Sequence, residues 1–232
     1  MKLLSIIICA LMLLNYHLVF AVAEQSRIYR SVGGADGMIA LTFDDGPHPR
    51  YTRQILEILK REGVKATFFV IGENIGYYDE GIISEIIADG HELGNHTFNH
   101  EHTSKMNEAD FYRDVRACHE LIKSKYNYEM KLFRPPEGYI DEKVKAISRE
   151  LDYSIIIWSI DTRDWEHVAS KTIAANVERD AKSGDIILMH DYVSKPNTTI
   201  DALEEIIKNL KREGYSFVSV SELIANKKHS DF

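Results

Sequence analysis

The sequence predicts an α/β fold in which about seven parallel strands close into a barrel or a barrel-like sheet after residue 37. Short apolar runs rich in Ile, Val and Phe alternate along the chain with helical stretches, which is typical of a parallel sheet covered by helices. Seven strand units without a dinucleotide-binding fingerprint favour closure of the sheet over an open, doubly wound arrangement.

Each predicted strand is a short apolar run, and most of these runs are followed by a predicted helix. The predicted strands are Met38–Phe43, Ala66–Ile71, Glu92–Asn95, Lys131–Phe133, Ser154–Ser159, Asp185–Met189 and Ser216–Val220. The predicted helices are Tyr51–Glu62, Glu80–Asp89, Glu108–Lys125, Glu142–Glu150, Ser170–Lys182 and Ile200–Arg212. Gly63, Gly90 and Gly214 close three of them, since glycine is common just past a helix C-terminus.

The composition indicates one sizeable globular domain. The chain has 232 residues, of which 44% are hydrophobic, and this is enough apolar material for a core. A formal net charge of -8 argues against a nucleic-acid-binding surface. The sequence shows no internal repeat and no linker between domains, and it implies no stable protein partner.

The first 23 residues predict a secretory signal peptide. Lys2 is a short basic start, Leu3–Leu14 is a compact apolar run, and Ala21–Ala23 fits a cleavage site. The run is short for a spanning helix, and an uncleaved membrane anchor is the alternative. We therefore expect a secreted or cell-surface protein. Residues 24–37 would be a linker, or would add a strand, and residues 38–228 would form the main domain.

Polar side chains collect just past the ends of five predicted strands. Residues at this position of parallel strands converge on one face of the fold, where active sites form. A single aspartate there could be only a turn residue or a helix cap, but that interpretation does not explain three histidines together. In chain order these residues are Asp44, Asp45, His96, His100, Arg134, Asp161, Asp164, Trp165 and His190.

The spacing of His96 and His100 predicts a metal site, because residues four apart on a helical turn share a face. Two histidines and one carboxylate form a catalytic zinc shell that leaves positions open for water and substrate. The adjacent Asp44 and Asp45 would supply that carboxylate and leave a second one free to act as a base.

Other residues of reactive type have structural interpretations. Signal cleavage would leave Cys118 as the one remaining cysteine, so no intrachain disulfide is expected, and Cys118 is interpreted as a core thiol. His91 is expected to make a local hydrogen bond and His102 to lie at the surface. His48, in a Gly-Pro-His-Pro turn, is expected to line the rim of the site.

Five motifs of this sequence resemble, in order and spacing, those of the polysaccharide deacetylases of carbohydrate esterase family four. The resemblance covers roughly Met38 to Leu223 and implies a distorted (β/α) barrel. It also implies a divalent metal, usually zinc, and removal of N-acetyl or O-acetyl groups from polysaccharides. The motifs are TFDDG (Thr42–Gly46), HTFNH (His96–His100), RPPEG (Arg134–Gly138), DTRDW (Asp161–Trp165) and LMH (Leu188–His190).

The resemblance implies a division of labour between the two aspartates. Asp45, His96 and His100 would hold the metal. Asp44 would be the general base, and Arg134 would pair with it and orient it. A bound metal polarises the carbonyl of an amide and lowers the pKa of its water towards about 7, so a nearby carboxylate can accept the water proton.

The resemblance also implies an acid and a pocket for the acetyl group. His190 would be the general acid, oriented by Asp164, and a carboxylate neighbour favours the imidazolium that donates a proton. Trp165 and Leu188 would help to line the acetyl pocket.

One position departs from the family pattern. Glu137 stands where many members carry an aromatic residue, often Tyr, and Tyr139 follows two residues later. The backbone N–H near Glu137 can still act as a second donor to the oxyanion, because it does not depend on the side chain. We count both residues as candidate substrate contacts. The Glu137 carboxylate would bind a sugar hydroxyl or point to solvent.

Three functions fit these residues. The leading one is a secreted, metal-dependent hydrolase that removes N-acetyl groups from N-acetylglucosamine-containing polysaccharide, either peptidoglycan or chitin oligomers. An O-acetyl esterase acting on acetyl-xylan would use the same site. A non-catalytic glycan-binding domain is the third, but the metal ligands, base and acid are all present, which argues against lost activity.

Overall fold

The computed structural model describes residues 26–166, 168–192 and 197–227. The predicted signal peptide lies outside these ranges. Within them, no helix is both long and apolar enough to cross a membrane.

Short strands alternate with helices through the described chain. The strands are Ile28–Tyr29 (β1), Met38–Asp44 (β2), Thr67–Val70 (β3), Glu92–Asn95 (β4), Leu132–Phe133 (β5), Ser154–Ile156 (β6), Ile160–Asp161 (β7), Ile186–His190 (β8) and Ser216–Phe217 (β9). The helices are Tyr51–Glu62 (α1), Gly72–Tyr78 (α2), Ile82–Ala88 (α3), Glu108–Tyr126 (α4), Glu142–Glu150 (α5), Ser170–Asp180 (α6), Thr198–Arg212 (α7) and Val220–Ala225 (α8). Three single 3₁₀ turns occur at Thr103–Lys105, Pro136–Gly138 and Asp164–Glu166.

The strands form one curved sheet in the order β1-β6-β5-β4-β3-β2-β8-β7, and β9 pairs with β2. Each of these pairings is parallel, as the alternating pattern predicts. Helices cover the sheet, and the fold is the distorted (β/α) barrel that the motifs imply. β2 lies centrally with β3 and β8 as its neighbours, so its carboxyl end is flanked on both sides.

The core explains why these segments form strands and helices. Five of the seven residues of β2 are apolar, and it is almost wholly buried, as a strand packed on both faces should be. The apolar residues of α1 fall on one buried face, and Gly63 ends this helix in the left-handed conformation. Cys118 lies buried in α4 within the main core, in agreement with its interpretation as a core thiol.

The predicted strand Ser154–Ser159 is shorter in the structure. β6 ends at Ile156, and the carbonyls of Ile156 and Ile157 accept hydrogen bonds from the Arg134 side chain. The predicted strand Ser216–Val220 also stops early. Ser219 is the N-cap of α8. Its side chain accepts from the Glu222 N–H, and the Glu222 side chain accepts from the Ser219 N–H.

Two strands and two helices appear that the sequence pattern does not predict. β1 and β7 have two residues each, too few for a periodic signal, and β1 lies in the segment predicted as a linker with an extra strand as alternative. α2 contains two glycines and two tyrosines, a composition that does not favour a helix. α8 is a six-residue helix inside the region predicted as the last strand.

The N-terminal segment is attached to the barrel by a tight contact at Gly184. The Val32 N–H donates to the Gly184 carbonyl at 2.8 Å, and Ser31 forms an antiparallel bridge with Asp185. Gly184 has φ +90°, and a β-carbon there would collide with the Val32 carbonyl oxygen. Only glycine fits this position without strain.

We therefore expect Gly184→Ala to destabilise the protein. The unfavourable φ alone costs about 1–3 kcal/mol, and the backbone collision adds to it. The measurement is the free energy of unfolding in urea. Gly76→Ala is the matched control, because nothing lies within 4 Å of a β-carbon there and helix α2 should gain up to about 1 kcal/mol. Equal stability of the Gly184→Ala variant and the wild type would contradict this role of Gly184.

Candidate active site

The predicted site residues lie together at the carboxyl end of the parallel sheet. β2 and β8 are neighbours, and their register places Asp44 opposite His190. β4 ends one residue before His96, and β5 ends one residue before Arg134. Because these strands run in the same direction, their ends deliver the four side chains to one face of the barrel.

Arg134 and Asp44 form a buried ion pair. The Arg134 side chain is 0% exposed, and its Nη1 donates to Asp44 Oδ1 at 2.6 Å. The rest of the guanidinium is also satisfied, by Thr42 Oγ1 at 2.9 Å and by the carbonyls of Ile156 and Ile157 at 3.1 and 3.3 Å. Arg134 therefore holds one oxygen of Asp44 in a fixed position.

The two adjacent carboxylates face the same histidine although they are neighbours in sequence. Successive side chains of a strand point to opposite faces, but Asp45 leaves β2 with φ +76°, in the left-handed region. As a result Asp44 Oδ2 lies 3.7 Å and Asp45 Oδ1 3.5 Å from His96 Nε2. This turn makes the two carboxylates members of one site.

Asp45, His96 and His100 form a cluster that fits a metal ion. Their ligand atoms lie within 4.8 Å of one another, with Asp45 Oδ1 at 3.3 Å from His100 Nε2. Asp45 Oδ1 is buried and finds no hydrogen-bond partner in the described part of the chain. His96 Nδ1 lies 2.7 Å from the Arg134 carbonyl, so its N–H donates there and leaves Nε2 as a ligand. Two histidines and a carboxylate suit zinc.

The electrostatics of the cluster also suit a cation. Burial raises the pKa of Asp45, but His96, His190 and His100 outweigh it and lower this pKa to about 2. Burial and the charge of His96 lower the pKa of His100, despite the two carboxylates. Asp45 is thus ionised and His100 favours its neutral form, the states that metal ligands need. Burial lowers the pKa of His96, but the negative charges of Asp44 and Asp45 outweigh burial, and the pKa is raised. The two carboxylates therefore favour a positive charge at this position.

His190 is held by Asp164. Their Nδ1 and Oδ1 atoms lie 2.7 Å apart, and the His190 backbone N–H donates to Asp164 Oδ2 at 2.8 Å. Asp164 is 0% exposed and also accepts from the Thr199 hydroxyl. Burial lowers the pKa of His190, but Asp164, with help from Asp45 and Asp44, outweighs burial and raises it to about 9. The ring is therefore an imidazolium at neutral pH, with Nε2–H as its remaining donor.

The prediction that His96 and His100 lie on a helical turn is wrong. The segment after β4 is a loop, in which Thr97 has φ +70° and His100 φ +55°. The two rings nevertheless come together, with centroids 4.9 Å apart. The Asn95 side chain accepts from the Thr97 N–H at 2.8 Å, so a hydrogen-bonded loop performs the task expected of a helix.

Glu137 is exposed, and its carboxylate contacts His102. It lies in the 3₁₀ turn after Arg134 with φ +57°, and its carboxylate is 2.7 Å from His102 Nε2. His102 Nδ1 accepts from the Ser104 N–H, so Nε2 carries the proton and donates to Glu137. His102 is thus only partly at the surface. Tyr139 is 42% exposed, and its ring centroid lies 6.2 Å from that of His102.

The two predicted pocket residues differ in exposure. Leu188 is buried in β8, where its neighbours in the sheet are Thr42 and Asp161. Trp165 is half exposed and directly follows Asp164, to which its backbone N–H donates at 3.0 Å. Asp161 itself accepts from the Arg163 N–H, which is the role of a turn residue.

Asp191 is a buried acid of this site that the motifs do not indicate. It accepts from the Thr52 hydroxyl at 2.6 Å, and its carboxylate packs so closely on Gly46 that a β-carbon there would collide with it. Burial, with the charges of Asp45 and Asp44, raises the pKa of Asp191 to about 7. Its place next to His190 in sequence is the one signal that could have indicated it.

Aromatic rings from the three segments that follow β2, β3 and β8 gather on the same face of the barrel. His48 is half-buried, and its ring stacks on Tyr51 and Tyr192 with centroids 4.3 and 4.9 Å apart. The ring centroid of Tyr78 lies 6.1 Å from that of His48, and the preceding residue Tyr77 is 70% exposed. The sequence pattern does not indicate this cluster, because its members come from distant segments.

Comparison with known proteins identifies the family. The polysaccharide deacetylase family model matches residues 32–156. A peptidoglycan-N-acetylglucosamine deacetylase of Bacillus cereus (strain ATCC 14579) is 40% identical over 192 residues, which are 82% of this chain and 89% of that protein. The peptidoglycan-N-acetylmuramic acid deacetylase PdaC of Bacillus subtilis (strain 168) is 36% identical over 194 residues, which are 84% of this chain and 40% of that protein.

The solved structures agree with this assignment. The crystal structure of the Bc1960 peptidoglycan N-acetylglucosamine deacetylase superposes with a TM-score of 0.83 at 35% identity, covering 90% of this chain and 99% of the other. The family match, the relatives and the shared fold lead to one conclusion. This chain belongs to the polysaccharide deacetylase family, carbohydrate esterase family four, and is a deacetylase.

Proposed function

We propose that this protein is a secreted, zinc-dependent hydrolase that removes N-acetyl groups from the N-acetylglucosamine of peptidoglycan. The observation that carries the proposal is the juxtaposition of Asp44, held by Arg134, with the Asp45–His96–His100 cluster. The names of its relatives favour peptidoglycan over chitin oligomers as the polymer. The predicted signal peptide supports secretion, and residues 38–228 would form the catalytic domain.

Asp45, His96 and His100 would hold the metal. When bound, a divalent metal supplies a Lewis acid that polarises the acetyl carbonyl and acidifies a water molecule. Two features of this chain fit such an ion. Asp45 Oδ1 is buried without a hydrogen-bond partner among the described residues, and the Nδ1–H of His96 is turned away to a carbonyl. We propose zinc because its catalytic sites take histidine and carboxylate ligands of this kind.

Asp44 would remove a proton from the attacking water. Arg134 occupies Oδ1, and Oδ2 is the oxygen that lies towards His96, so the base faces the metal cluster. The water oxygen bonds to the acetyl carbon as Asp44 takes the proton. The backbone N–H of Glu137 would donate to the carbonyl oxygen as that oxygen gains negative charge.

His190 would protonate the leaving nitrogen. The amine leaves only when it gains a proton, and the imidazolium held by Asp164 supplies one as the C–N bond breaks. The products are acetate and the free amino sugar. Asp44 and His190 lie opposite each other in the β2–β8 register, so base and acid reach the scissile amide from adjacent strands.

Exposed aromatic rings support a sugar polymer as substrate. Among the described residues, four of the five exposed large hydrophobic side chains are the aromatics Tyr77, Tyr139, Trp165 and Tyr192. All four lie in loops or short helical segments that follow carboxyl ends of strands, on the face that carries the catalytic groups. Rings with an apolar face and a polar edge are suited to sugar rings, which have both kinds of surface.

We expect Asp44→Asn to reduce kcat for acetate release by about 10²- to 10⁴-fold, because the amide cannot accept the water proton. The measurement is acetate release from peptidoglycan and N-acetylglucosamine oligomers by zinc-loaded protein, together with bound zinc. Zinc should be retained, since Asp44 is not a proposed ligand. Asp152→Asn, an exposed carboxylate in the turn after α5, is the control and should stay active. Full activity of Asp44→Asn would exclude Asp44 as the base. Faster acetate release from acetyl-xylan than from the N-acetylated substrates would favour the O-acetyl esterase.

We expect Asp164→Asn to shift the pH profile of kcat. A general acid works only while protonated, so activity should fall above its pKa, near pH 9 in the wild type. Without the Asp164 charge the His190 pKa falls, and the alkaline limb should move to lower pH by about one unit or more. The Thr199→Ser variant keeps the hydroxyl donor to Asp164 and should leave the limb in place. An unmoved limb in Asp164→Asn would contradict the assigned acid.

We expect Glu137→Gln to relax selection against anionic sugars. The exposed carboxylate beside His102 should repel N-acetylmuramic acid, which carries a carboxylate, more than neutral N-acetylglucosamine. The variant should raise kcat/KM on N-acetylmuramic acid-containing glycan about two- to tenfold relative to N-acetylglucosamine oligomers at low salt, and less at high salt. Glu129→Gln, a change at an exposed residue just past the end of α4, is the control. An unchanged ratio would assign Glu137 no part in sugar selection.

A further inference from the structure

We propose that Asp114 of helix α4 is a positioning residue that holds the metal-ligand loop, and with it His100, in the conformation that binds the ion. Asp114 lies outside the five motifs and is not among the ligands, base or acid. The inference rests on the metal site of the proposed function and deepens it, but it does not depend on which sugar is hydrolysed.

The loop that carries the two histidines has an unfavourable backbone. Thr97 and His100 both have positive φ, at +70° and +55°. This region is poorly suited to residues other than glycine, and least to a β-branched residue such as Thr97. Such a conformation persists only when its surroundings impose it. The loop therefore needs external hydrogen bonds to hold its shape.

Asp114 supplies these hydrogen bonds between the two ligands. Its Oδ2 accepts from the backbone N–H groups of Phe98 and Asn99 at 3.0 and 3.4 Å, and its Oδ1 accepts from Asn99 Nδ2 at 2.6 Å. Asp114 is 5% exposed. A buried carboxylate that accepts three N–H donors binds them more firmly than a neutral acceptor would. The Asp114 side chain thus holds the middle of the loop between His96 and His100.

The two histidines depend on the hydrogen bonds of Asp114 to different degrees. His96 is buried, its ring nitrogen is bound by the Arg134 carbonyl, and its backbone N–H donates to Val70. His100 is about one third exposed, and the hydrogen bond that positions its backbone runs to Thr97 Oγ1 at 3.1 Å, within the same loop. His100 therefore takes its position from the loop, and a change in the loop should displace His100 first.

Helix α4 is a rigid support for this contact. It is 19 residues long, its N-terminus is capped by Asn107, and Val115 is buried in the core next to Asp114. The Val115 carbonyl accepts from Asn95 Nδ2 at 2.9 Å, and Asn95 Oδ1 in turn accepts from the Thr97 N–H. Helix α4 thus holds the loop at two places. It holds the start of the loop through Asn95 and the centre of the loop through Asp114.

The test is the zinc affinity of metal-stripped protein, measured by competition with a chelating fluorophore. Asp114→Asn keeps the shape but puts an NH₂ group against the Asn99 donors, so zinc Kd should rise about 10- to 100-fold, as for other residues that support metal ligands. Asn99→Ala removes one of the three bonds and should raise Kd by a smaller factor. Glu120→Gln removes an exposed charge from the same helix and should leave Kd unchanged.

A second readout separates positioning from general stability. The visible absorption of cobalt-substituted protein reports ligand geometry, and Asp114→Asn should change its band positions or intensities, whereas Glu120→Gln should not. Wild-type zinc affinity and an unchanged cobalt spectrum in Asp114→Asn would overturn the proposal. If that variant does not fold, an Asn99→Ala protein with wild-type values would do the same. Because the readout is metal binding, a lack of deacetylation would count against the proposed substrate and not against Asp114.

Discussion

The buried ion pair between Arg134 and Asp44 is the interaction on which the arrangement of the site depends. A fully buried guanidinium is tolerable only when its donors are satisfied, and here a carboxylate, a hydroxyl and two carbonyls accept from it. Removing one partner of such a pair leaves the other charge uncompensated, at a cost of roughly 3–5 kcal/mol. The pair therefore fixes both the Asp44 carboxylate and the local course of the chain.

The effects of this pair extend into the sheet and the loops. β6 stops at Ile156 because the carbonyls of Ile156 and Ile157 are directed to Arg134. The Arg134 carbonyl in turn orients the His96 ring, so the residue that holds Asp44 also turns His96 Nε2 towards Asp45. Asp44 and His96 are thus coupled through Arg134, and the same contacts explain why a long predicted strand is short.

Much of the fold can be predicted from periodic segments. The helices Tyr51–Glu62 and Glu142–Glu150 and the strand Glu92–Asn95 occur with the bounds that the pattern predicts, since each is a continuous run with clear ends. The two-residue strands β1 and β7 are different. They exist through hydrogen bonds to β6 and β8, which come from distant parts of the chain, and so they leave no local periodic signal.

The sequence by itself determined the fold class and the family, and it predicted the site residues, because the motifs place chemically distinctive side chains at strand ends. It did not determine how they are held. The histidine pair lies on a strained loop instead of a helical turn, Glu137 is paired with His102, and Asp114 and Asp191 contribute from outside the motifs. These contacts join residues far apart in the chain, and only the tertiary structure decides them, because no local pattern records which distant donor meets which acceptor.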